Sequence, residues 1–176
     1  MASPTRIGDA AILNITGKML PSEISKQLSG IAMTYAPASS DEGWYYKLTN
    51  LTTTSGQLLS ESPYLSKGGQ SRGTDVSSNT DIASLSDKVK FLIVINMGFI
   101  ETGATKTTNS AYITLNGATA AHNGVSSIEI GTNEAWYAKM NNTTLGDINA
   151  ISGQPAGGGT ASTKLQCVVA AILEDI

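Results

Sequence analysis

The segment from Lys88 to Met97 constrains the fold more than any other stretch, because it has the pattern of a long, largely apolar β-strand. Side chains alternate between the two faces of such a strand. One face carries Val89, Phe91, Ile93, Ile95 and Met97. The opposite face, apolar only in its middle, carries Lys88, Lys90, Leu92, Val94 and Asn96. We therefore expect a central strand that is fully covered on the first face and partly covered on the second.

The rest of the chain adds further strand patterns and no long helical stripe. Leu165 to Leu173 alternates like the central strand, and we expect it to be central and buried on both faces. Pro21 to Leu28 fits either two turns of helix or an extended arm. The other predicted strands cover residues 10–15, 31–35, 44–51, 111–115, 127–130 and 134–140. About eight to ten strands predict an all-β fold, an antiparallel β-sandwich with a jelly roll as the favoured version and a small barrel as the alternative.

The length of 176 residues fits a single domain, on a prior of about 150 residues per domain. Residues 1–30 are interpreted as an extended N-terminal arm or lead-in, and residues 31–176 as the sandwich. Residues 60–80 form a polar stretch that is much longer than the usual connection of about 4 to 6 residues. We therefore place any partner-facing excursion in that stretch.

Two connections in the second half are predicted from their turn residues. Residues 101–110 have the polarity of a hairpin loop that returns the chain into the next strand. Asn116-Gly117 is a signal for the tightest hairpin turn, because both central positions of that turn favour positive φ. We expect a hairpin at each position.

Composition excludes several classes of partner. The net charge is −3, and the 11 Lys and Arg residues are scattered singly, which argues against nucleic acid. No apolar run approaches the roughly 20 residues of a membrane helix, and the N-terminus lacks the apolar core of a secretory signal. We therefore expect a protein that is made and folded in a cytoplasm, with neither nucleic acid nor membrane as a partner.

The residue types that usually carry catalysis are sparse. His122 is the single histidine, and its position after a turn indicates an exposed loop residue more than a general base. Cys167, the single cysteine, lies in the middle of an apolar strand and is expected to behave as a small core hydrophobe. No metal-ligand spacing is present. We therefore predict a non-enzymatic protein with no catalytic, metal or cofactor site.

Aromatic residues supply the only candidate contacts. Trp44-Tyr45-Tyr46 lies on a predicted strand, so Trp44 and Tyr46 share one face while Tyr45 points to the other. Trp136-Tyr137 repeats this arrangement on a later strand. An exposed aromatic side chain suits sugar stacking or a subunit contact, whereas Trp in the core with Tyr at its rim is the alternative. The candidate interface or ligand contacts are Trp44, Tyr45, Tyr46 and Tyr137.

Four stretches of the second half carry a likeness to a known class of protein. They are Val89 to Ile95, Ser127 to Met140, Leu145 to Ser152 and Leu165 to Asp175. In these stretches the chain resembles small virion proteins of tailed bacteriophages, especially those of marine phages. None of the four contains a catalytic motif.

The resemblance implies a virion structural protein, assembled in the host cytoplasm. Within that class it favours a head decoration, or cement, protein that binds the outer capsid surface and stabilises the head. Such proteins are β-rich and often trimeric, so the implied partners are the major capsid protein and copies of this chain. The alternative is a carbohydrate-binding or fibre- or tail-associated β-sandwich protein of the virion, with surface glycans as its partners.

Overall fold

The computed structural model describes residues 11–14, 32–35, 37, 41–61, 66–67, 70–71, 82–100, 105–121, 127–153 and 164–176. The chain divides into two compact units, Met1–Ala38 and Ser39–Ile176. Within the first unit, strand β1 (Ala11–Asn14) pairs antiparallel with β2 (Ala32–Tyr35). The predicted helix or arm at Pro21 to Leu28 lies outside the described residues, and the single domain stays a prediction.

The second unit contains two antiparallel sheets, which we name the large sheet and the small sheet. The large sheet has six strands in the order β10-β7-β12-β3-β5-β6, and the small sheet has four in the order β4-β11-β8-β9. The large-sheet strands are β3 (Glu42–Leu51), β5 (Ser66–Lys67), β6 (Gln70–Ser71), β7 (Lys88–Ile100), β10 (Ala135–Lys139) and β12 (Leu165–Glu174). The small-sheet strands are β4 (Gly56–Gln57), β8 (Ser110–Thr114), β9 (Ile128–Ile130) and β11 (Asn149–Gly153). A single 3₁₀ turn, Leu145–Asp147, completes the regular elements of the described residues.

This architecture confirms the prediction of an all-β, sandwich-like fold. Buried apolar side chains from both sheets form one core between them. The large sheet contributes Tyr45, Leu51, Leu92, Val94 and Val169, and the small sheet contributes Ala111, Ile113, Ile130 and Ala150. Full burial of an aliphatic side chain stabilises a fold by about 1.5–3 kcal/mol, so this core is the main source of stability. The jelly-roll topology stays a prediction.

Strand β12 occupies the centre of the large sheet, between β3 and β7, as its apolar alternation predicted. Its pairing with β3 runs without a break from Glu42 opposite Glu174 to Leu51 opposite Leu165. The face toward the core is fully buried and carries Leu165, Cys167, Val169, Ala171 and Leu173. The opposite face is only half-buried at Val168 and Ala170, so the expectation of burial on both faces is wrong there.

Cys167 lies in this buried row, which confirms its predicted role as a core residue. Burial raises the pKa of its thiol to about 12, because a thiolate is poorly solvated in apolar surroundings. The residue is therefore held as a neutral thiol at neutral pH. Neutral, inaccessible thiols are poor nucleophiles.

A β-bulge in β7 changes which side chains face the core. Val89 pairs with Leu173 and Phe91 pairs with Ile172, so Lys90 is an extra residue with no partner position on β12. An extra residue reverses the alternation beyond it. The fully buried face therefore carries Val89 and then Leu92, Val94, Asn96 and Gly98. The prediction that Ile93, Ile95 and Met97 belong to the fully covered face is wrong, since these three are only half-buried.

Two predicted hairpins also differ from the structure. The strands that flank residues 101–110, β7 and β8, lie in different sheets and do not pair with each other. The chain does turn back on β7 before it reaches β8, because Phe99 forms an antiparallel bridge with Lys106. Gly117 has a φ of +74°, which fits the predicted turn. The turn is not a tight hairpin, however, because β8 pairs with β9 across the long connection 115–127. The Gly117 N–H donates instead to the carbonyl oxygen of Asp147, 2.8 Å away, which anchors the loop to the 3₁₀ turn.

The buried amide of Asn96 joins the two sheets near the end of β7. Its Nδ2 group donates to the carbonyl oxygens of Asn109, at 2.8 Å, and Ile130, at 3.1 Å. Its Oδ1 atom accepts a 2.9 Å hydrogen bond from the N–H of Gly98. Because buried polar groups are costly when unpaired, this one side chain satisfies three backbone groups at once.

We expect Asn96→Ala to lower the free energy of unfolding by about 3 kcal/mol, because it leaves buried backbone donors and acceptors unpaired. Urea unfolding monitored by circular dichroism measures the change. Asn50→Ala is the matched control, since Asn50 is exposed on β3 and should change stability by less than about 0.5 kcal/mol. Equal effects of the two substitutions would contradict the joining role of Asn96.

The bulged Lys90 forms an ion pair with Glu174, with 2.9 Å between Nζ and Oε2. The hydrogen bond from Lys90 lowers the pKa of Glu174 below its ordinary value, with a smaller contribution from the charge of Lys88. A carboxyl group with a depressed folded-state pKa stabilises the fold above its unfolded-state pKa. That stabilisation is lost as the pH falls through the folded-state pKa.

We expect Lys90→Ala to raise the pKa of Glu174 toward the ordinary value of a glutamate and to weaken the acid-side loss of stability. Carboxyl ¹³C titration by NMR measures this pKa. Lys139→Ala removes an exposed lysine elsewhere on the large sheet and should leave the pKa of Glu174 in place. A Glu174 pKa that is unchanged in Lys90→Ala would show that Lys90 is not its cause.

Candidate functional site

The side of the large sheet that points away from the core is the main candidate for a contact surface among the described residues. We name it the outer face. Strand pairing aligns its side chains in three rows across β10, β7, β12 and β3. The rows are Lys139, Phe91, Ile172 and Trp44; Tyr137, Ile93, Ala170 and Tyr46; and Ala135, Ile95, Val168 and Leu48. Eleven of these twelve side chains are apolar or aromatic, so the outer face is a continuous apolar surface.

Exposure differs across the outer face, and its exposed side chains lie on β10 and β3 and not on the two strands between them. Phe91 and Ile172 are buried, although both point away from the main core. Tyr46 and Leu48 at the β3 side are 51% and 47% exposed. Large exposed apolar side chains that lie next to one another are uncommon on a protein surface and often mark a contact site.

Polar side chains border this apolar surface. Asn50 and Gln166 pair across β3 and β12 just beyond the row of Leu48 and Val168. The ion pair between Lys90 of β7 and Glu174 of β12 lies at the opposite end of the outer face. An apolar centre with a polar rim is the usual anatomy of a protein–protein interface.

The structure places three of the four predicted aromatic contacts on this surface. Trp44 and Tyr46 are neighbours on β3, and Tyr137 lies in the same row as Tyr46, on the edge strand β10. Trp44 and Tyr137 are half-buried. Tyr46 is therefore the aromatic residue that is most available to a partner.

Tyr45 does not fit the predicted contact role, because its side chain is buried in the core. Its hydroxyl group donates to the carbonyl oxygen of Ser60, at 3.0 Å, and accepts from the N–H of the same residue, at 3.3 Å. Burial raises the pKa of Tyr45, which keeps the phenol neutral. Tyr45 thus fixes the chain after β4 to the large sheet.

The aliphatic members of the outer face were missed by the sequence prediction. Ile93 and Ile95 were assigned to the covered face of β7, and the bulge at Lys90 reverses that assignment. Leu48 has one signal in the sequence, since it lies two residues after Tyr46 on the same strand and must share its face. Extending the Trp44-Tyr46 alternation by one step would have found it.

Two polar clusters elsewhere lack the features of an active site. Glu129 Oε1 accepts hydrogen bonds from Ser110 Oγ, at 2.8 Å, and from Tyr112 Oη, at 3.1 Å. Ser110 is fully buried, so a substrate cannot reach its hydroxyl. Lys47 Nζ donates to Ser60 Oγ. As an ammonium it is a donor there and does not remove the serine proton, which a nucleophile would require.

Within the described ranges, no group of three or more His, Cys, Asp and Glu side chains is placed to hold a metal ion. In those same ranges, no helix has the length and apolar character needed to cross a membrane. His122 lies outside the described residues. The prediction that it has no catalytic role stays a prediction.

No protein-family model, curated protein or solved structure matches this chain. The resemblance to phage virion proteins therefore stays a prediction. The geometry of the outer face is the firmest basis for a functional proposal.

The opposite orientations of Tyr45 and Tyr46 can be tested by two substitutions that each remove one hydroxyl group. We expect Tyr45→Phe to lower the free energy of unfolding by about 1 kcal/mol, because two partly buried backbone groups of Ser60 lose their partner. Tyr46→Phe should change it by less than about 0.5 kcal/mol. Thermal unfolding of both variants measures the contrast, and the reverse order would contradict the assigned faces.

Proposed function

We propose that this chain is a non-enzymatic structural protein of a virion, a decoration protein that binds the outer surface of a capsid and stabilises the head. The observation that carries the proposal is the outer face, an apolar surface whose exposed corner is formed by Tyr46 and Leu48. The resemblance of residues 88–175 to phage virion proteins supports the same class. The capsid protein and sister copies of this chain, arranged as a trimer, are the proposed partners.

The large sheet suits this role because it is a rigid platform. The unbroken ten-residue pairing of β3 with β12 fixes the positions of Tyr46 and Leu48 relative to each other. Little conformational entropy is then lost when a partner covers them. A modest affinity of each copy for the capsid is sufficient. Copies that are linked to one another bind one shell at several places, which raises their overall affinity.

The same face gives less support to the carbohydrate-binding alternative. Sugar sites combine an aromatic platform with hydrogen-bonding groups that fix the hydroxyls. Apart from Trp44, the side chains next to Tyr46 across the strands and along β3 are instead aliphatic, namely Ala170, Ile93 and Leu48. An aliphatic surround favours a protein partner for this face.

We expect Leu48→Glu to weaken binding to capsids by at least about tenfold, because it introduces a charge into an apolar contact. Cosedimentation with capsids assembled from the major capsid protein of the same genome measures the affinity. Leu85→Glu is the matched control, because Leu85 is also exposed but lies beside Gly146 of the 3₁₀ turn. Circular dichroism verifies that both variants fold.

Two results would overturn the proposal. The first is wild-type protein that does not cosediment with the capsids at any concentration. The second is Leu48→Glu protein that binds as tightly as the control variant. Capsids that gain no resistance to heat when the wild-type protein is bound would remove the stabilising role and leave binding alone.

A further inference from the structure

The end of β7 that lies beyond Asn96 forms one wall of an open pocket with a volume of about 640 Å³. The pocket is separate from the outer face, and it lies where β7, the start of the chain segment before β8, and the turn before β10 meet. It is lined by Gly98, Phe99, Lys106, Thr107, Thr108, Thr132 and Asn133. Cavities of roughly 300–1,000 Å³ are typical of small-molecule sites.

Two residues with left-handed backbone conformations shape this pocket. Gly98 has a φ of +68° and Asn133 has a φ of +61°. A Cβ atom at Gly98 would lie 2.7 Å from Thr132 Cγ2, so a glycine is needed for the turn to approach β7 this closely. The Gly98 carbonyl oxygen accepts a 2.9 Å hydrogen bond from the N–H of Thr107, which fixes the opposite wall.

Some of the polar lining is already engaged by the protein itself. The Thr107 hydroxyl accepts a hydrogen bond from the Asn109 N–H, at 3.2 Å, and the Thr132 hydroxyl lies 3.4 Å from the Asn109 carbonyl oxygen. Three lining residues are different. The side chains of Lys106, Thr108 and Asn133 are exposed, and among the described residues they make no hydrogen bond or ion pair.

The chemistry of these groups selects a class of ligand. Lys106 supplies one positive charge, and the described residues that line the pocket include no carboxylate to neutralise it. Thr108 and Asn133 can each donate and accept hydrogen bonds, which suits hydroxyl groups. Phe99 adds an apolar wall of the kind against which a sugar ring packs. A ligand that combines one negative charge, several hydroxyl groups and a ring satisfies all of them.

We propose that this pocket binds an acidic saccharide, with its carboxylate paired to Lys106 and its hydroxyls bonded to Asn133 and Thr108. A volume of about 640 Å³ in an open pocket accommodates part or all of a short oligosaccharide. The site does not depend on capsid binding through the outer face. Loss of saccharide binding would leave the proposed capsid binding intact, and absence of capsid binding would leave saccharide binding intact.

The test uses the full-length protein and three defined probes, namely trigalacturonate, neutral maltotriose and inorganic sulfate. We expect trigalacturonate to shift the ¹⁵N–¹H NMR signals of Gly98 and Asn133, and maltotriose and sulfate to bind at least about tenfold more weakly. Lys106→Gln should weaken trigalacturonate binding by about tenfold, as should Asn133→Gly, which removes the amide while keeping a positive φ accessible. Lys139→Gln is the charge-matched control on a different surface.

Three results would overturn the proposal. Trigalacturonate that leaves the signals of Gly98 and Asn133 unchanged would show that the pocket does not bind it. Sulfate that binds as tightly as trigalacturonate would reduce the site to a simple anion contact. Equal affinities for trigalacturonate in Lys106→Gln and Lys139→Gln would show that Lys106 does not hold the carboxylate. Circular dichroism of each variant separates these outcomes from loss of the fold.

Discussion

The β-bulge at Lys90 is the constraint on which the two surfaces of the large sheet depend. Without the extra residue, the alternation of β7 would turn Ile93 and Ile95 into the core and Leu92 and Val94 out of it. With it, the core-side residues of β7 from Val89 to Asn96 pair with buried residues of β12, as Val94 does with Val169. The bulge therefore decides both what the core contains and what the outer face presents. Bulges are often found where a strand must redirect its side chains, and this one also places Lys90 beside Glu174.

The two ends of β7 are held by different kinds of interaction. Its beginning and middle are fixed by apolar packing, which tolerates small displacements because it has no preferred direction. Its end is fixed by the amide of Asn96, whose three hydrogen bonds require defined positions of β7, β8 and β9. That directional contact sets the spacing between the two sheets where the pocket opens. Two residues of the pocket wall, Gly98 and Asn133, donate backbone hydrogen bonds to Asn96, so this residue fixes their positions.

The sequence was sufficient to predict eight strands, their approximate bounds and the central place of β12, because these follow from alternation of apolar residues. It was not sufficient to predict β11 or the two-residue strands β4, β5 and β6, which are too short or too polar to show that alternation. The sequence did not predict which residues of β7 face the core after Lys90, because the extra residue of a bulge leaves the apolar pattern of the sequence unchanged. The same limit explains the connections, because polarity at residues 101–110 predicts a loop but not which sheet the next strand joins. For the aromatic residues, alternation correctly separated Tyr45 from Tyr46. Which of the two faces inward was decided by the packing of the large sheet against the small sheet, a contact between residues far apart in sequence.

Exposing apolar side chains to water is unfavourable, and this helps to interpret the outer face. Only 14% of the residues are charged, so the chain has few charged side chains with which to offset exposed Tyr46 and Leu48. A variant with polar residues at both positions would keep the fold, because neither side chain belongs to the core. Stability alone therefore does not require an apolar residue at either position, and exposed apolar corners increase the risk of aggregation. A partner that covers the corner removes this risk and gains the free energy of burial, which is the balance expected of a chain that functions in an assembly.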